Sequence, residues 1–163
     1  VGAVFSDYNG DDSGSIFYYS MSSYEILQQV DGDSYNDKFG YSVSMSRDGS
    51  VVAAGANGSN TYVKVLDATS SSLQVRATIE ATTQCCLLVS LSNDGGRLAV
   101  GTIGYDSYRG KAFIYALNDD GPQVVGEFFG EWNSDYFGRA VAMVGNGRRV
   151  AVGASGHVRV FEK

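Results

Sequence analysis

The chain has 163 residues, of which 44% are apolar, and its 12 Lys and Arg residues stand against 18 Asp and Glu residues, giving a formal net charge of −6. This acidic balance argues against nucleic acid or an anionic membrane surface as a partner, because both attract clustered positive charge. The 21 Gly, 11 Tyr and 8 Phe favour short strands and tight turns over helices, and no apolar run approaches the roughly 20 residues that span a bilayer, so we expect no membrane insertion.

Short apolar runs with alternating polarity recur along the whole chain, and each is predicted to be a strand. In chain order they are 1–3, 16–19 and 24–30; 41–46, 51–56, 63–66 and 73–79; 87–92, 98–101, 112–115 and 123–129; and 139–144, 150–154 and 158–161. Turn signals follow three of these runs: Asp48-Gly49, Asp94-Gly95 and Asn146-Gly147. Such dipeptides favour hairpins because a tight turn needs positive φ at its centre.

A small-residue phrase repeats with the strands. Its shared glycines, Gly2, Gly55, Gly101 and Gly153, lie 53, 46 and 52 residues apart. Periods of about 40–50 residues with four strands each are typical of β-propeller blades, because one blade needs neighbours to cover its faces. We therefore predict an all-β chain of about three and a half to four antiparallel four-stranded blades. It forms one region, 1–163, with repeats near 1–36, 37–84, 85–134 and 135–163, of which the first and last are partial. We expect it to be part of a larger ring.

Two segments carry a likeness to a known family. The segments 37–43 (DKFGYSV) and 135–141 (DYFGRAV) are each followed by a Gly-Ala phrase, and they resemble the FG-GAP repeats of the integrin α-subunit propeller. Similar repeats occur in large secreted or cell-surface proteins, including those of microalgae. The sequence departs from the pattern at Cys85-Cys86, which replace Phe-Gly, and in lacking the proline of the Gly-Ala-Pro phrase. The resemblance implies a propeller fold and an extracellular or cell-surface location.

The loop at 7–15 is acidic, with oxygen-bearing side chains at alternate positions: Asp7, Asn9, Asp11, Ser13 and Ser15. A curved loop can turn such groups toward one hard cation. In integrin-like propellers the corresponding loop holds calcium, so the resemblance implies a Ca²⁺ site here, completed by a carbonyl near Ser13. The alternative is a solvated turn without metal.

Asp37 and Asp135 each stand two residues before Phe-Gly. They are candidates for a ligand surface, but a side-chain cap on the neighbouring turn is the preferred interpretation. Asp31 and Asp33 form a second short acidic cluster, which we interpret as a turn.

Three other polar residues are interpreted from their positions in the repeat. Lys64 and Arg159 occupy the same position in two repeats and are flanked by valines, so we expect both to face water. His157 is the single histidine and stands where other repeats have Ser15, Tyr62 and Lys111. We therefore predict an exposed strand start, and with one histidine a Ser-His-Asp system is disfavoured.

Cys85 and Cys86 are the only two cysteines, and as neighbours on a strand they point to opposite faces. Buried free thiols are expected, with an inter-chain disulfide as the alternative. Asn57-Gly58-Ser59 is an N-glycosylation acceptor at a hairpin tip and is equally a good turn.

An aromatic group lies near the third link between repeats. Trp132 and Tyr136 are candidates for contact with a sugar or a partner chain, although packing between blades is the plainer interpretation.

Two classes of function remain. The first is a non-catalytic extracellular module that binds a protein or glycan, contributes to adhesion, or assembles with further copies or segments of the same protein. The second is a propeller enzyme that degrades polysaccharides with carboxylates. The first is preferred because the glutamates are scattered and every distinctive motif has a structural interpretation.

Overall fold

A computed structural model describes residues 1–81 and 87–162, so Cys85 and Cys86 lie outside the described part. Every regular element in the described residues is a β-strand, and the strands form four antiparallel sheets. The all-β prediction is therefore confirmed. A helix able to cross a membrane is absent from the residues described.

The described residues form fourteen strands, which follow the chain order within each sheet. The first sheet contains β1 (Gly2–Ala3), β2 (Ser15–Tyr19) and β3 (Ile26–Asp31). The second contains β4 (Ser42–Met45), β5 (Val51–Gly55), β6 (Tyr62–Ala68) and β7 (Leu73–Glu80). The third contains β8 (Leu87–Leu91), β9 (Arg97–Thr102), β10 (Lys111–Asn118) and β11 (Gly121–Phe129). The fourth contains β12 (Ala140–Met143), β13 (Arg149–Gly153) and β14 (Val158–Glu162).

The three predicted hairpin turns are confirmed. Gly49, Gly95 and Gly147 have φ of 76°, 68° and 66°, the left-handed region that glycine enters without steric cost. At the first turn the Gly49 N–H donates to the Ser46 carbonyl at 3.0 Å, and β4 and β5 pair directly across it.

The core lies between neighbouring sheets, with a separate apolar cluster at each junction. On β5, Val52 and Ala54 belong to the cluster shared with the first sheet, whereas Val51 and Ala53 belong to the cluster shared with the third. Successive side chains of a strand point to opposite faces. All five residues of β5 are buried, so the second sheet is covered on both faces. A third cluster joins the third and fourth sheets around Phe137.

Candidate binding surfaces

In the described part of the chain, a short parallel ribbon joins the first sheet to the second, and another joins the third to the fourth. The Phe39 N–H donates to the Ser13 carbonyl at 3.0 Å, and the Phe137 N–H donates to the Arg109 carbonyl at 3.1 Å. In the first case the loop before β2 pairs with the link into the second sheet, and in the second case the loop before β10 pairs with the link into the fourth sheet. Both phenylalanine side chains are fully buried, so the Phe-Gly element is an anchor between sheets.

The close approach in these ribbons explains a glycine in each loop. Gly110 has φ of 81°, and a Cβ there would meet the Phe137 carbonyl oxygen at 2.1 Å. Gly14 has the same relationship to Phe39, with a contact of 2.3 Å. A side chain at either position would force the ribbon apart.

Asp37 caps the turn before the Phe-Gly element, as the preferred interpretation predicted. Its carboxylate is fully buried and accepts hydrogen bonds from the Ser34 N–H at 2.9 Å, the Asn60 amide at 2.9 Å and the Tyr62 hydroxyl at 3.2 Å. Burial, together with the nearby carboxylates of Asp33 and Asp37, raises the pKa of the Tyr62 hydroxyl well above its ordinary value. Tyr62 is therefore a permanent hydrogen-bond donor at this junction.

Asp135 has the same capping role, and its Oδ2 accepts the Glu131 N–H at 2.9 Å. Its Oδ1 is buried and lies 3.7 Å from Nδ1 of His157, with no hydrogen-bond partner in the described part of the chain. The prediction that His157 is exposed is wrong: its side chain is 27% exposed, and the Trp132 ring lies 5.5 Å from it. Sequence position within the repeat did not reveal this contact across the link.

Lys64 corrects a second prediction, because it does not face water. The residue is 6% exposed, and its Nζ donates to Asp33 Oδ1 at 2.6 Å and to the Asp31 carbonyl at 3.3 Å. The ammonium also lies over the rings of Phe39 and Tyr62. The interpretation of Asp31 and Asp33 as a turn alone is therefore wrong, since they bind a cation from the next sheet.

Arg159 repeats this arrangement at the junction of the third and fourth sheets. Its guanidinium carbon lies 4.1 Å from the centroid of the Phe137 ring, it donates to the Phe129 carbonyl, and it lies 3.5 Å from Glu131. The side chain is 28% exposed, so the prediction that it faces water is also wrong. Both cations point toward the preceding sheet, which covers that face.

The predicted calcium loop at 7–15 uses its polar groups in hydrogen bonds. Asp7 Oδ1 accepts the Asp12 N–H at 2.8 Å, and the Asn9 amide donates to the carbonyls of Gly32 at 2.8 Å and Asp33 at 3.1 Å.

The two serines of the same loop are also engaged. Ser13 and Ser15 are fully buried, and their hydroxyls donate to the Ser6 carbonyl and to Asp31 Oδ1. Within the described residues, no three His, Cys, Asp or Glu side chains are grouped to hold a metal ion. These hydrogen bonds hold the loop without a metal, and the calcium site stays a prediction.

The other predicted site residues, Asn57, Trp132 and Tyr136, differ in their surroundings. Asn57 is half-buried in the loop between β5 and β6, where its N–H donates to the Asp37 carbonyl at 2.9 Å. Trp132 is 52% exposed. Tyr136 is half-buried and its ring lies 5.6 Å from that of Tyr108. Trp132 and Tyr136 therefore contact different rings instead of forming one aromatic cluster.

The outer face of the fourth sheet is apolar and uncovered. Val158 and Val160 are each 65% exposed. Val63 and Val65 are the equivalent residues of the second sheet, because they pair with the shared glycine and with the alanine two residues before it, as Val158 and Val160 do. Both are fully buried. We call Val158, Val160 and Ala151 the open end face.

The opposite end of the stack is aromatic. Phe5 and Tyr8 are 70% and 69% exposed, and Tyr19 is 38% exposed. Phe17 lies between the rings of Tyr8 and Tyr19, at centroid distances of 6.3 and 6.4 Å. We call Phe5, Tyr8, Phe17 and Tyr19 the aromatic end face.

Comparison with known proteins bears on the fold alone. No protein-family model matches the chain, and no curated protein matches it. Among solved structures, 235 chains match. One is from the structure titled "Complex of KlAtg21 with coiled-coil of AgAtg16", with a TM-score of 0.69, 16% sequence identity and coverage of 92% of this chain and 47% of that chain. That protein is a β-propeller, and this chain spans about half of its length.

Proposed function

We propose that the four sheets are blades of an FG-GAP-like β-propeller and that the chain is a non-catalytic extracellular or cell-surface module that assembles with other β-sheets. Three observations support the fold: the likeness to a propeller structure, the repeated Phe-Gly anchor, and the stacking of each sheet on the next. Protein or glycan binding and adhesion belong to the same class of function.

The open end face carries this proposal. Val158 and Val160 occupy positions that neighbouring sheets bury at the other junctions. Covering the exposed part of each valine would contribute about 1–2 kcal/mol, which favours a partner with an apolar sheet face. β14 also has no strand beyond it among the residues described, and an unpaired strand edge favours further pairing.

The partner we propose is a second copy of this chain. The chain already stacks sheet upon sheet at three junctions, and each copy carries both an open end face and an aromatic end face. Contact between these two different faces is a heterologous interface, which closes into a ring or extends as a filament.

Three of the glutamates have structural partners, which supports a non-catalytic module. Glu127 pairs with Lys111, Glu131 with Arg159 and Glu162 with Arg149. Two of these pairs each lie within one sheet and the third joins a strand to the link between sheets, so a structural role accounts for each carboxylate.

The experiment is sedimentation velocity over a concentration series. We expect the wild type to form particles that are multiples of 17.4 kDa, and the double variant Val158→Glu, Val160→Glu to sediment as a monomer. Val124 is the matched control, since it is 54% exposed but lies on the outer strand β11. Val124→Glu should associate as the wild type does. A wild type that remains monomeric throughout, or a double variant that associates normally, would contradict the proposal.

A further inference from the structure

A cavity of about 370 Å³ opens where the first strands of the last three sheets begin. Its described walls are formed by Tyr41, Leu88, Ile103, Tyr136 and Arg139. Tyr41 directly precedes β4 and Arg139 directly precedes β12, while Leu88 lies in β8. We call it the inner mouth cavity. Its volume falls within the roughly 300–1,000 Å³ of small-molecule sites.

Arg139 gives this cavity its charge. Its side chain is exposed, and it has neither an ion pair nor a side-chain hydrogen bond in the part of the chain that the structure describes. Among the described residues no carboxylate lines the cavity, although the chain as a whole carries a net charge of −6. A guanidinium with a free planar fork binds a carboxylate through two parallel hydrogen bonds.

Tyr136 is held in place before any ligand arrives. Its N–H donates to the Tyr108 carbonyl at 2.8 Å, and its own carbonyl accepts the Arg139 N–H at 3.1 Å. Its φ of 53° lies in the left-handed region, and so does the φ of 60° at Tyr108. Non-glycine residues rarely adopt this conformation, and the surrounding contacts must hold them there. The backbones of Tyr136 and Arg139 therefore belong to one hydrogen-bonded turn, which places both side chains at the cavity.

The other walls supply a surface for a ring. Tyr41 is 44% exposed, and Leu88 and Ile103 are half-buried aliphatic residues. Two tyrosines offer both flat apolar faces and hydroxyl groups, a combination that suits ligands with one apolar and one polar side. A pyranose has this character, since its C–H groups cluster on one face and its hydroxyls lie at the rim.

We propose that the inner mouth cavity binds a carboxylated sugar, with the carboxylate on Arg139 and the sugar ring against the tyrosines. The inference rests on the cavity alone and is independent of the end faces. It adds a small-molecule site to a chain whose proposed role is assembly.

The probe is sodium glucuronate, followed by ligand-observed NMR and isothermal titration calorimetry with the full chain. We expect saturable binding that weakens about 10-fold or more in Arg139→Gln, the loss of one charge-assisted pair. Arg148→Gln is the matched control, because Arg148 is an exposed arginine beside the β12–β13 turn and does not line this cavity. It should bind as the wild type does.

Two further probes separate the parts of the ligand. Glucose lacks the carboxylate, and cyclohexanecarboxylate lacks the hydroxyls, so each should bind more weakly than glucuronate. Equal binding of glucose would overturn the role of Arg139, and equal binding of cyclohexanecarboxylate would overturn the assignment of a sugar. Absence of glucuronate binding, or unchanged binding in Arg139→Gln, would overturn the site itself. The titration is repeated in the double variant Val158→Glu, Val160→Glu, where we expect unchanged glucuronate binding because the cavity is separate from the open end face.

Discussion

The ammonium nitrogen of Lys64 lies 5.0 Å from the centroid of the Phe39 ring, so a cation from the second sheet covers the anchor that joins it to the first. Arg159 covers Phe137 in the same way at the last junction. Cations over aromatic faces are stabilised by the ring quadrupole, and more so when water is excluded. Each Phe-Gly anchor is thus held by backbone pairing on one side and by a cation on the other.

Removing the carboxylate partner of Lys64 should destabilise the protein. Asp33→Ala leaves a buried ammonium with a carbonyl but no counter-ion, which should lower the free energy of unfolding by about 1–3 kcal/mol. Glu162→Ala breaks the exposed pair with Arg149 and should cost less than about 1 kcal/mol. Urea denaturation measures both. Equal effects of the two substitutions would show that the burial of Lys64 has no energetic consequence.

The ribbon contact at Gly110 should be sensitive to a single methyl group. Gly110 and Gly156 have nearly the same φ, 81° and 82°, but a Cβ at Gly156 meets nothing within 4 Å. Gly156→Ala should cost about 1–2 kcal/mol for the backbone conformation alone. Gly110→Ala adds the clash with Phe137 and should cost at least about 2 kcal/mol more. Thermal denaturation measures the stability of both variants. Similar melting temperatures would contradict the close contact between Gly110 and Phe137.

Carboxylates in two of the hairpin turns should make the free energy of unfolding depend on pH. Hydrogen bonds from the backbone and hydroxyl of Ser50 and from Ser46 lower the pKa of Asp48 from 3.8 to about 2, and a hydrogen bond from Ser92 lowers the pKa of Asp94. A depressed folded pKa contributes stability above the unfolded pKa and loses it as pH falls through the folded pKa. We expect this contribution to disappear between about pH 4 and 2.

The control for this prediction is present in the third turn, where Asn146 Oδ1 accepts the Arg148 N–H at 3.0 Å without a charge. Asp48→Asn, Asp94→Asn should keep the turns but lose the ionised acceptors. Its urea midpoint should fall below that of the wild type at pH 7 and approach it as pH falls toward 2. A constant difference from pH 7 to pH 2 would be inconsistent with titration of these carboxylates.

Calcium offers a test of the loop at 7–15. Hydrogen bonds from the Asn9 amide to the carbonyls of Gly32 and Asp33 already hold this loop without a metal, so we expect no rise in melting temperature at millimolar calcium. Asp11→Ala should behave as the wild type does. A rise in the wild type that is absent in Asp11→Ala would instead establish the calcium site that the family resemblance implies.

Local signals predicted the strands and turns well, because a hairpin is specified by neighbouring residues. The positive φ at Gly49, Gly95 and Gly147 follows from the dipeptides themselves. The repeat spacing likewise predicted sheets that need neighbours, and clusters at each junction confirm this.

Contacts between repeats were harder to predict. Lys64 and Arg159 alternate with valines as water-facing residues do, but the face that they occupy packs against the preceding sheet. The oxygen spacing in the loop at 7–15 is equally compatible with a metal and with hydrogen bonds to the link at 32–33. Only the position of the neighbouring segment distinguishes these outcomes.

The stacking of the four sheets has a thermodynamic consequence. A linear array of units behaves as a sum of intrinsic and nearest-neighbour terms, and here the first and fourth sheets have one neighbour each while the second and third have two. Opening should therefore start by fraying at the termini, with amide protons in β1 and β14 exchanging first and those in β5 and β9 last. A partner on either end would change this order by giving a terminal sheet the second neighbour that it lacks.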